Sequence, residues 1–447
     1  MLMKMKILLI SANFEHRHDL KTKLMAKFII NPSLVLPQIA ATIPKRHSVC
    51  LIDDAYEDID YDGNYDLIGI STATPSAPRA YEIADKFREN GKKVIMGGIH
   101  PSVLPLEAKE HADSVVIGEA EANFTQLLND FEKGKLRDFY VGWEMDGKKI
   151  PMARRDLRKI KPIMEAVQTS RGCPFGCEFC TITNFQGSTY RPRPLNELIE
   201  EIKGIERKFL IFIHDASLTI DMNFAREFFK KMKKLKKNFI CYGNAPMLMD
   251  EKFLKLSKEA GCIGWLTGFE SISQSCLKEA GKEYNSVDYE KLVKKVKKYG
   301  MSIIGSFIFG FDNDSPDVFE KTLEKVYDWN IDAAEFNILT PFPGTPLFDK
   351  LRREGRILTK DWSKYNLHDV VFMPRQMTPK ELFYGVKKIS KEFYSMPKFL
   401  ARIFSIRTCL SKFLFLSGIN LAMRLFHKSY THPCKEAIEN KKLEALV

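Results

Sequence analysis

Short apolar runs alternate with amphipathic segments over the first third of the chain. Strand-length apolar runs occupy residues 6–11, 48–53, 67–72, 93–97 and 114–118, and segments with helical spacing lie between them at 36–43, 78–90 and 120–133. Alternation of strands and helices is typical of a parallel sheet covered by helices on both faces. The pattern therefore predicts a Rossmann-like α/β domain over residues 1–140. A charged, aperiodic linker is predicted over residues 141–163.

The same alternation resumes after this linker. Strands are predicted at 165–170, 209–215, 238–243, 264–270, 302–310 and 334–339, and helices at 194–205, 222–234, 251–260, 287–299 and 315–329. These units predict a partial (β/α)6 TIM-like barrel over residues 164–345, whose active site would lie at the carboxyl ends of its strands. Residues 346–447 are basic and helical in pattern, and we interpret them as a helical C-terminal extension.

The chain carries three closely spaced cysteines, Cys173, Cys177 and Cys180, in a C-x3-C-x2-C arrangement. Three thiolates this close favour a cubane iron–sulfur cluster in which the fourth iron stays open to bind a small molecule. A structural zinc site usually needs four ligands, and a disulfide would leave one cysteine over, so both alternatives are less favoured. The cysteine loop follows the first barrel strand, which predicts a cluster at the barrel mouth.

Polar and glycine-rich positions end three strands of the N-terminal domain. They are Ser71, Thr72, Gly97, Gly98, Gly118 and Glu119. Ligands of open parallel sheets bind beyond the carboxyl ends of the strands, so these positions are candidate ligand contacts. Glycines also occur in such turns for the turn alone, which leaves a structural interpretation open.

The net charge of +12 over 447 residues is concentrated in the tail. Residues 396–447 hold nine Lys or Arg and three Glu around the apolar run 413–423. A helix packed on the body is the preferred interpretation, and peripheral contact with an anionic membrane through this basic tail is the alternative. No apolar run is long enough to span a bilayer, and no signal peptide is recognised. We therefore expect a cytoplasmic protein, with membrane association left open.

The cysteine motif resembles the cluster loop of radical S-adenosylmethionine (SAM) enzymes. The resemblance rests on the spacing, on the preceding Arg171-Gly172, on Phe179 before the last cysteine and on the strand end Gly268-Phe269-Glu270-Ser271. It implies a 4Fe-4S cluster and SAM as cofactors. It further implies that Phe179 packs on the adenine, that Gly268 and Glu270 contact SAM and that Lys282 pairs with the SAM carboxylate. The alternatives are a rim ion pair for Glu270 and a solvated surface position for Lys282.

The N-terminal domain resembles the cobalamin-binding domain that precedes this barrel in one large subgroup. The matching stretches are Ser71-Thr72, Gly97-Gly98-x-His100-Pro101 and Gly118-Glu119-x-Glu121. Residues 340–346 and Asp361-Trp362 resemble the C-terminal extension of hopanoid methylase-like members. One departure concerns the Asp-x-His-x-x-Gly motif of mutase-type domains, which is absent from the loop at 12–18. Cobalamin would therefore bind without a histidine ligand; the alternative is a domain that has lost the cofactor.

The resemblance implies that reductive cleavage of SAM yields a 5′-deoxyadenosyl radical. The main hypothesis is a cobalamin-dependent methyltransferase acting on an unactivated carbon of a lipid-like or other small-molecule substrate. The alternatives are a radical SAM cyclase or carbon–carbon coupling enzyme without methyl transfer, and a non-catalytic iron–sulfur electron carrier. The implied partners are the small-molecule substrate and a reductant such as ferredoxin or flavodoxin. No motif for reading grooves or stacking bases supports nucleic-acid binding.

Overall fold

The computed structural model describes residues 4–13, 33–142, 144–206, 209–404 and 410–429. The chain divides into two compact units. The first comprises Met1–Pro174 and Thr181–Glu206, and the second comprises Phe175–Cys180 and Arg207–Val447. Residues 14–18, which belong to the loop without the Asp-x-His-x-x-Gly motif, lie outside the described residues, as does the tail beyond residue 429.

A parallel sheet of six strands organises the first unit. The strands are β1 (Lys6–Ser11), β2 (Ser48–Asp53), β3 (Leu67–Ser71), β4 (Lys93–Gly97), β5 (Ser114–Gly118) and β6 (Phe139–Gly142), in the spatial order β2-β1-β3-β4-β5-β6. The first five lie where the apolar runs predict them. Consecutive residues Ile7, Leu8, Leu9 and Ile10 of β1 are all buried, as expected of a strand covered on both faces.

Helices cover this sheet. They are α1 (Val35–Thr42), α2 (Ala77–Glu89), α3 (Ile99–Val103), α4 (Pro105–Glu110) and α5 (Phe124–Glu132). One buried core joins Ile7 and Leu9 of β1 to Leu36 of α1 and Leu127 of α5. The predicted Rossmann-like α/β architecture is thus confirmed in this unit.

Strand β6 is not among the predicted strands. It pairs in parallel with β5 at the edge of the sheet, with Val116 opposite Tyr140. Only alternate residues of β6 are buried, and Val141 is 54% exposed. The strand lacks the continuous apolar run of a central parallel strand, which is why its sequence resembles a linker.

The rest of the first unit contains a short antiparallel ladder of two strands. Its elements are β7 (Met164–Val167), β8 (Ser170–Arg171), α6 (Thr181–Gln186), β9 (Arg191–Pro192) and α7 (Leu195–Gly204). Strands β8 and β9 pair with Arg171 opposite Arg191. Because β8 ends two residues before Cys173, this ladder fixes the start of the cysteine loop.

The second unit contains a parallel sheet of the predicted barrel strands. They are β10 (Leu210–Ile213), β11 (Phe239–Tyr242), β12 (Cys262–Glu270), β13 (Ser302–Phe309) and β14 (Ala333–Ile338), in the order β14-β13-β12-β11-β10. The connecting helices are α8 (Met222–Met232), α9 (Glu251–Glu259), α10 (Gln274–Glu279), α11 (Tyr289–Lys298) and α12 (Val318–Asp328). Buried rings of Phe229 and Phe253 pack against Trp265 and fasten α8 and α9 to one face of the sheet.

The C-terminal region of the second unit is helical, as predicted. Its helices are α13 (Pro346–Arg353), α14 (Pro379–Phe393), α15 (Met396–Phe404) and α16 (Leu410–Ser429). In α16, Phe415, Leu416 and Asn420 are buried, and the Asn420 amide donates to the carbonyl oxygen of Asp332 at 3.1 Å. This supports the preferred interpretation, a helix packed on the body. Within the described ranges, no helix has the length and hydropathy needed to cross a membrane.

Tyr394 offers a test of how the C-terminal helices stabilise the second sheet. Its buried hydroxyl donates to the carbonyl oxygen of Ala334 at 2.7 Å and accepts from the Ala334 amide at 3.1 Å. Tyr394→Phe leaves both backbone groups of β14 without this partner, so we expect a loss of about 1–3 kcal/mol in the free energy of unfolding. Urea unfolding measures it. Tyr384→Phe, at a 40% exposed position, is the control and should lose less than about 0.5 kcal/mol.

Candidate active site

The first unit positions Cys173 through backbone contacts. The Cys173 amide donates to the carbonyl oxygen of Gly187 at 3.1 Å, and the Thr183 hydroxyl donates to the Cys173 carbonyl at 3.2 Å. Gly172 has a φ of +79°, and a Cβ there would collide with the Thr189 carbonyl oxygen. Glycine is therefore required immediately before the first cysteine.

Two buried arginines flank this backbone and share one carboxylate. Arg171 and Arg191 lie directly opposite each other in the β8–β9 ladder, where like charges repel. Glu119 accepts from Arg191 at 2.5 Å and contacts Arg171 at 3.3 Å. Glu121 accepts from Arg171 at 2.5 Å, and all four side chains are at least nine-tenths buried. Burial lowers the pKa of Arg171, but Glu121 and Glu119 raise it more, so the guanidinium stays charged.

The candidate cobalamin residues lie together at the carboxyl ends of β3, β4 and β5. The Thr72 amide donates to the Gly97 carbonyl at 3.0 Å, and the Gly118 amide donates to the Ser102 hydroxyl at 2.9 Å. Gly98 has a φ of +106° and no room for a Cβ beside the Thr72 backbone. Ser71, Gly97 and Gly98 are half-buried, so this edge presents hydroxyl and backbone groups to a ligand. Such a polar, side-chain-poor edge fits the amide-rich rim of a corrin.

Glu119 differs from the other candidates at this edge. Its carboxylate is engaged by the two arginines and by the Met145 amide at 3.0 Å. The residue was predicted as a cofactor contact from its place after Gly118. Its side chain ties the end of β5 to the ladder that precedes Cys173, and its backbone amide donates to the Gly142 carbonyl at 2.5 Å. A direct contact of Glu119 with a cofactor stays a prediction.

The second unit holds the other two cysteines. The Cys180 amide donates to the Cys177 carbonyl at 3.0 Å, and Glu178 between them donates to the carbonyl oxygen of Ala280 at 3.1 Å. The Cys177 sulfur lies 3.8 Å from the Tyr284 hydroxyl. Both cysteines and Phe179 are half-buried. The contact of Phe179 with an adenine ring stays a prediction.

A buried ion pair lies beside these cysteines. Lys282 Nζ is 2.5 Å from Glu270 Oε1 and donates to the Gly268 carbonyl oxygen at 3.1 Å. Lys282 is only 9% exposed, so the alternative of a solvated surface lysine is wrong, whereas the ion-pair alternative for Glu270 matches the structure. Burial lowers the pKa of Lys282, but Glu270, Cys177 and Cys180 raise it more. The ammonium therefore stays charged, and it interacts electrostatically with both cysteines.

A β-bulge aims Glu270 at this lysine. Gly268 pairs with Ser306 and Glu270 pairs with Phe307, so Phe269 is an extra residue in β12. Glu270 has a left-handed φ of 61°, which non-glycine residues seldom adopt. Bulges of this kind redirect side chains near active sites. The strained strand end accounts for the position of the carboxylate.

The described residues contain no group of three His, Cys, Asp or Glu arranged around a single metal ion. A cubane cluster does not need one, because each cysteine binds a different iron. Burial raises the pKa of the Cys177 thiol, and Lys282 opposes that rise. The positive charge of Lys282 close to Cys177 and Cys180 suits an anionic cluster, so the donor set fits the group that the spacing predicts.

Comparison with known proteins agrees with this geometry. Residues 167–326 match the Radical SAM superfamily, residues 44–128 match the B12 binding domain, and residues 345–413 match a Domain of unknown function (DUF4070). The chain is 33% identical over 391 residues to bacteriochlorophyllide d C-8(2)-methyltransferase of Chlorobaculum tepidum, covering 83% of this chain and 87% of that protein. The chain belongs to the cobalamin-dependent radical SAM methyltransferase family.

The chain is also similar to a second methylase and to a solved structure. It is 24% identical over 372 residues to hopanoid C-2 methylase of Rhodopseudomonas palustris, covering 79% of this chain and 70% of that protein. Its fold matches the radical SAM methyltransferase TsrM of Kitasatospora setae, solved with cobalamin and a [4Fe-4S] cluster, with a TM-score of 0.69 at 15% identity over 95% of this chain and 99% of that one. The predicted enzyme class and cofactor set are confirmed, and the non-catalytic electron carrier is set aside.

The radical SAM sheet also carries a row of side chains on the face opposite the helices. Phe212, His214 and Tyr242 form a continuous aromatic surface, with ring centroids 5.4 Å apart in each neighbouring pair. Glu335 lies opposite Ser306 in the register, and burial together with the Glu270 charge raises its pKa. The sequence does not reveal this arrangement, because residues on both faces of a buried parallel strand are largely apolar.

The Glu119 network predicts a large stability effect. Glu119→Ala leaves Arg171 and Arg191 facing each other with less compensating charge, so we expect a loss of about 3–5 kcal/mol in the free energy of unfolding. Denaturant unfolding of the chain without cofactors measures it. Glu200→Ala is the matched control, because Glu200 is 63% exposed in its pair with Lys203 and should contribute at most about 1 kcal/mol. Equal losses in the two variants would contradict this role for Glu119.

Proposed function

We propose that this enzyme transfers a methyl group to an unactivated carbon of a small, largely apolar molecule that contains a ring system. The observation that carries the proposal is the charged, buried Lys282–Glu270 pair close to Cys177 and Cys180, in a chain 33% identical to a methyltransferase. An electron carrier would have no need of such a pair at a strand end. A substrate-processing enzyme needs it to hold a charged cosubstrate.

We assign the cluster to Cys173, Cys177 and Cys180 on the basis of their spacing. Bound there with SAM, the cluster would supply the electron that generates a 5′-deoxyadenosyl radical. Lys282 would bind the SAM carboxylate, and Glu270 would orient the lysine and accept a hydrogen bond from the ribose or amino group. Lys282 would then bind the SAM carboxylate while Glu270 binds the ribose or amino group, so neither charged side chain would be buried without a partner.

The assignment of cobalamin contacts rests on the edge formed by β3, β4 and β5. Ser71 and Thr72 would offer hydroxyl groups, and Gly97 and Gly98 would offer backbone that approaches a ligand closely. Gly118 is buried, and its left-handed φ of 81° would shape the turn at this edge. Glu119 would support this edge indirectly, because it holds the end of β5 to Arg171 and Arg191.

The aromatic surface of Phe212, His214 and Tyr242 favours a flat or fused-ring substrate. The 33% identical relative is named for a bacteriochlorophyllide, which supports a tetrapyrrole-like substrate. A polycyclic lipid is the second candidate, favoured by the similarity to hopanoid C-2 methylase. Peripheral membrane contact would then involve the exposed Phe413, Leu414 and Leu421 of α16, which leave an apolar stripe on the packed helix.

The products distinguish methyl transfer from the alternatives. We expect the chain, reconstituted without oxygen with iron, sulfide and cobalamin, to bind about four irons. With SAM and dithionite it should form both 5′-deoxyadenosine and S-adenosylhomocysteine, whereas ring closure or carbon–carbon coupling would form no S-adenosylhomocysteine. Liquid chromatography with mass spectrometry measures both products. Ferredoxin or flavodoxin in place of dithionite tests the proposed protein reductant.

Cysteine variants provide the control for this experiment. Cys177→Ala should lose the cluster and both products, because a cubane held by two cysteines is no longer anchored. Cys50→Ser changes a half-buried cysteine on β2 outside the motif and should keep about four irons. A reconstituted chain that retains no corrinoid absorbance, or that forms no 5′-deoxyadenosine, would contradict the proposed function.

A further inference from the structure

The segment of residues 280–284 packs along the loop that carries Cys177 and Cys180. Glu178 donates its amide to the Ala280 carbonyl at 3.1 Å. Gly281, with a φ of +65°, lies next to the loop, since an added Cβ would be in van der Waals contact with the Gly176 carbonyl oxygen at 3.7 Å. The other side of Glu178 is also held, because its carbonyl accepts from the Leu347 amide at 3.0 Å. The loop therefore has a defined position relative to this segment.

Tyr284 ends this segment and makes two contacts with the loop. Its ring stacks on Phe175, with centroids 4.3 Å apart and an interplanar angle of 19°. Its hydroxyl oxygen lies 3.8 Å from the Cys177 sulfur. Stacking of this kind fixes the plane of the phenol ring. The hydroxyl is thus held toward the sulfur by a contact that is independent of the hydrogen bond itself.

We propose that Tyr284 is a positioning residue that donates a hydrogen bond to the Cys177 sulfur and thereby raises the reduction potential of the cluster. The inference rests on the proposed function, since it requires a cluster on Cys177. An iron-bound thiolate carries no proton, so the phenol must be the donor. Hydrogen bonds to cluster sulfurs stabilise the more negative, reduced state. Tyr284 would thereby ease reduction of the cluster by an external donor.

Lys282 also influences Cys177, and Cys180 with it, but only through its charge. Its ammonium is committed to Glu270 and to the Gly268 carbonyl, at 2.5 and 3.1 Å. Tyr284 instead offers a directed hydrogen bond to one sulfur. The two contributions are separable by mutation, because removing the phenol oxygen leaves the ion pair in place.

Tyr284→Phe tests the inference, because it removes the hydroxyl and keeps the ring on Phe175. We expect the reconstituted full-length chain to retain its iron content and to be harder to reduce. At a fixed ambient potential the ratio of reduced to oxidised cluster should fall by up to about tenfold, or about 59 mV for a one-electron couple. A redox titration followed by electron paramagnetic resonance measures this ratio. Electron–nuclear double resonance of the wild-type cluster should show a proton coupling that disappears in D2O. Tyr284→Phe should lack this coupling.

Tyr299→Phe is the matched control. Its hydroxyl contacts Glu251 at 3.1 Å, so the potential should equal that of the wild type. A fully loaded Tyr284→Phe chain with an unchanged potential would overturn the inference. Failure of the wild type itself to bind iron would overturn the proposed function instead. If Tyr284→Phe alone fails to bind iron, Phe175→Leu provides the test, because it removes the ring on which Tyr284 stacks and keeps the phenol. A lowered reduction potential in Phe175→Leu supports the inference, and an unchanged potential refutes it.

Discussion

Two buried guanidinium groups on opposite strands of a two-residue ladder set the main constraint on the first unit. Arg171 and Arg191 face each other in the β8–β9 register, and an arginine cannot lose its proton to relieve the repulsion. Glu119 compensates them from the end of β5, with Glu121 taking the remaining side of Arg171. The carboxyl edge of the N-terminal sheet and the backbone entering the cysteine motif are therefore held by the same charges. A change at either place alters the electrostatic balance of the other.

In the second unit, buried charge is compensated within a single ion pair. Lys282 and Glu270 are both buried, and the glutamate reaches the lysine only because β12 bulges at Phe269. Strain in the backbone and burial of charge both cost stability, and proteins retain such features where they serve a reaction. Tyr284 lies two residues beyond Lys282 and contacts Cys177 directly. Charge, hydrogen bonding and backbone strain thus act on the environment of the same cysteines.

The sequence predicted the parts whose physical signal is local. Strand β1 shows the continuous apolar run of a strand buried on both faces. The spacing of the three cysteines is also readable in the sequence, because it reflects how the cluster is bound. The sequence did not predict β6, since an edge strand buries only alternate residues. It placed Glu119 at a ligand edge but could not show that Arg191, far along the chain, occupies its carboxylate. The bulge at Phe269 and the phenol contact of Tyr284 likewise depend on tertiary packing and leave no pattern in the sequence.

The two compact units are interleaved along the chain. Residues Thr181–Glu206 return to the first unit after Phe175–Cys180 has joined the second. An expression fragment that stops at the predicted linker would therefore omit β8 and β9 and leave Glu119 and Glu121 buried without their arginines. Such a fragment would bury uncompensated carboxylates and would also cut strand β6, so we expect it to fold poorly. No single cut in the chain separates the two units, because Thr181–Glu206 lies between two segments of the second unit.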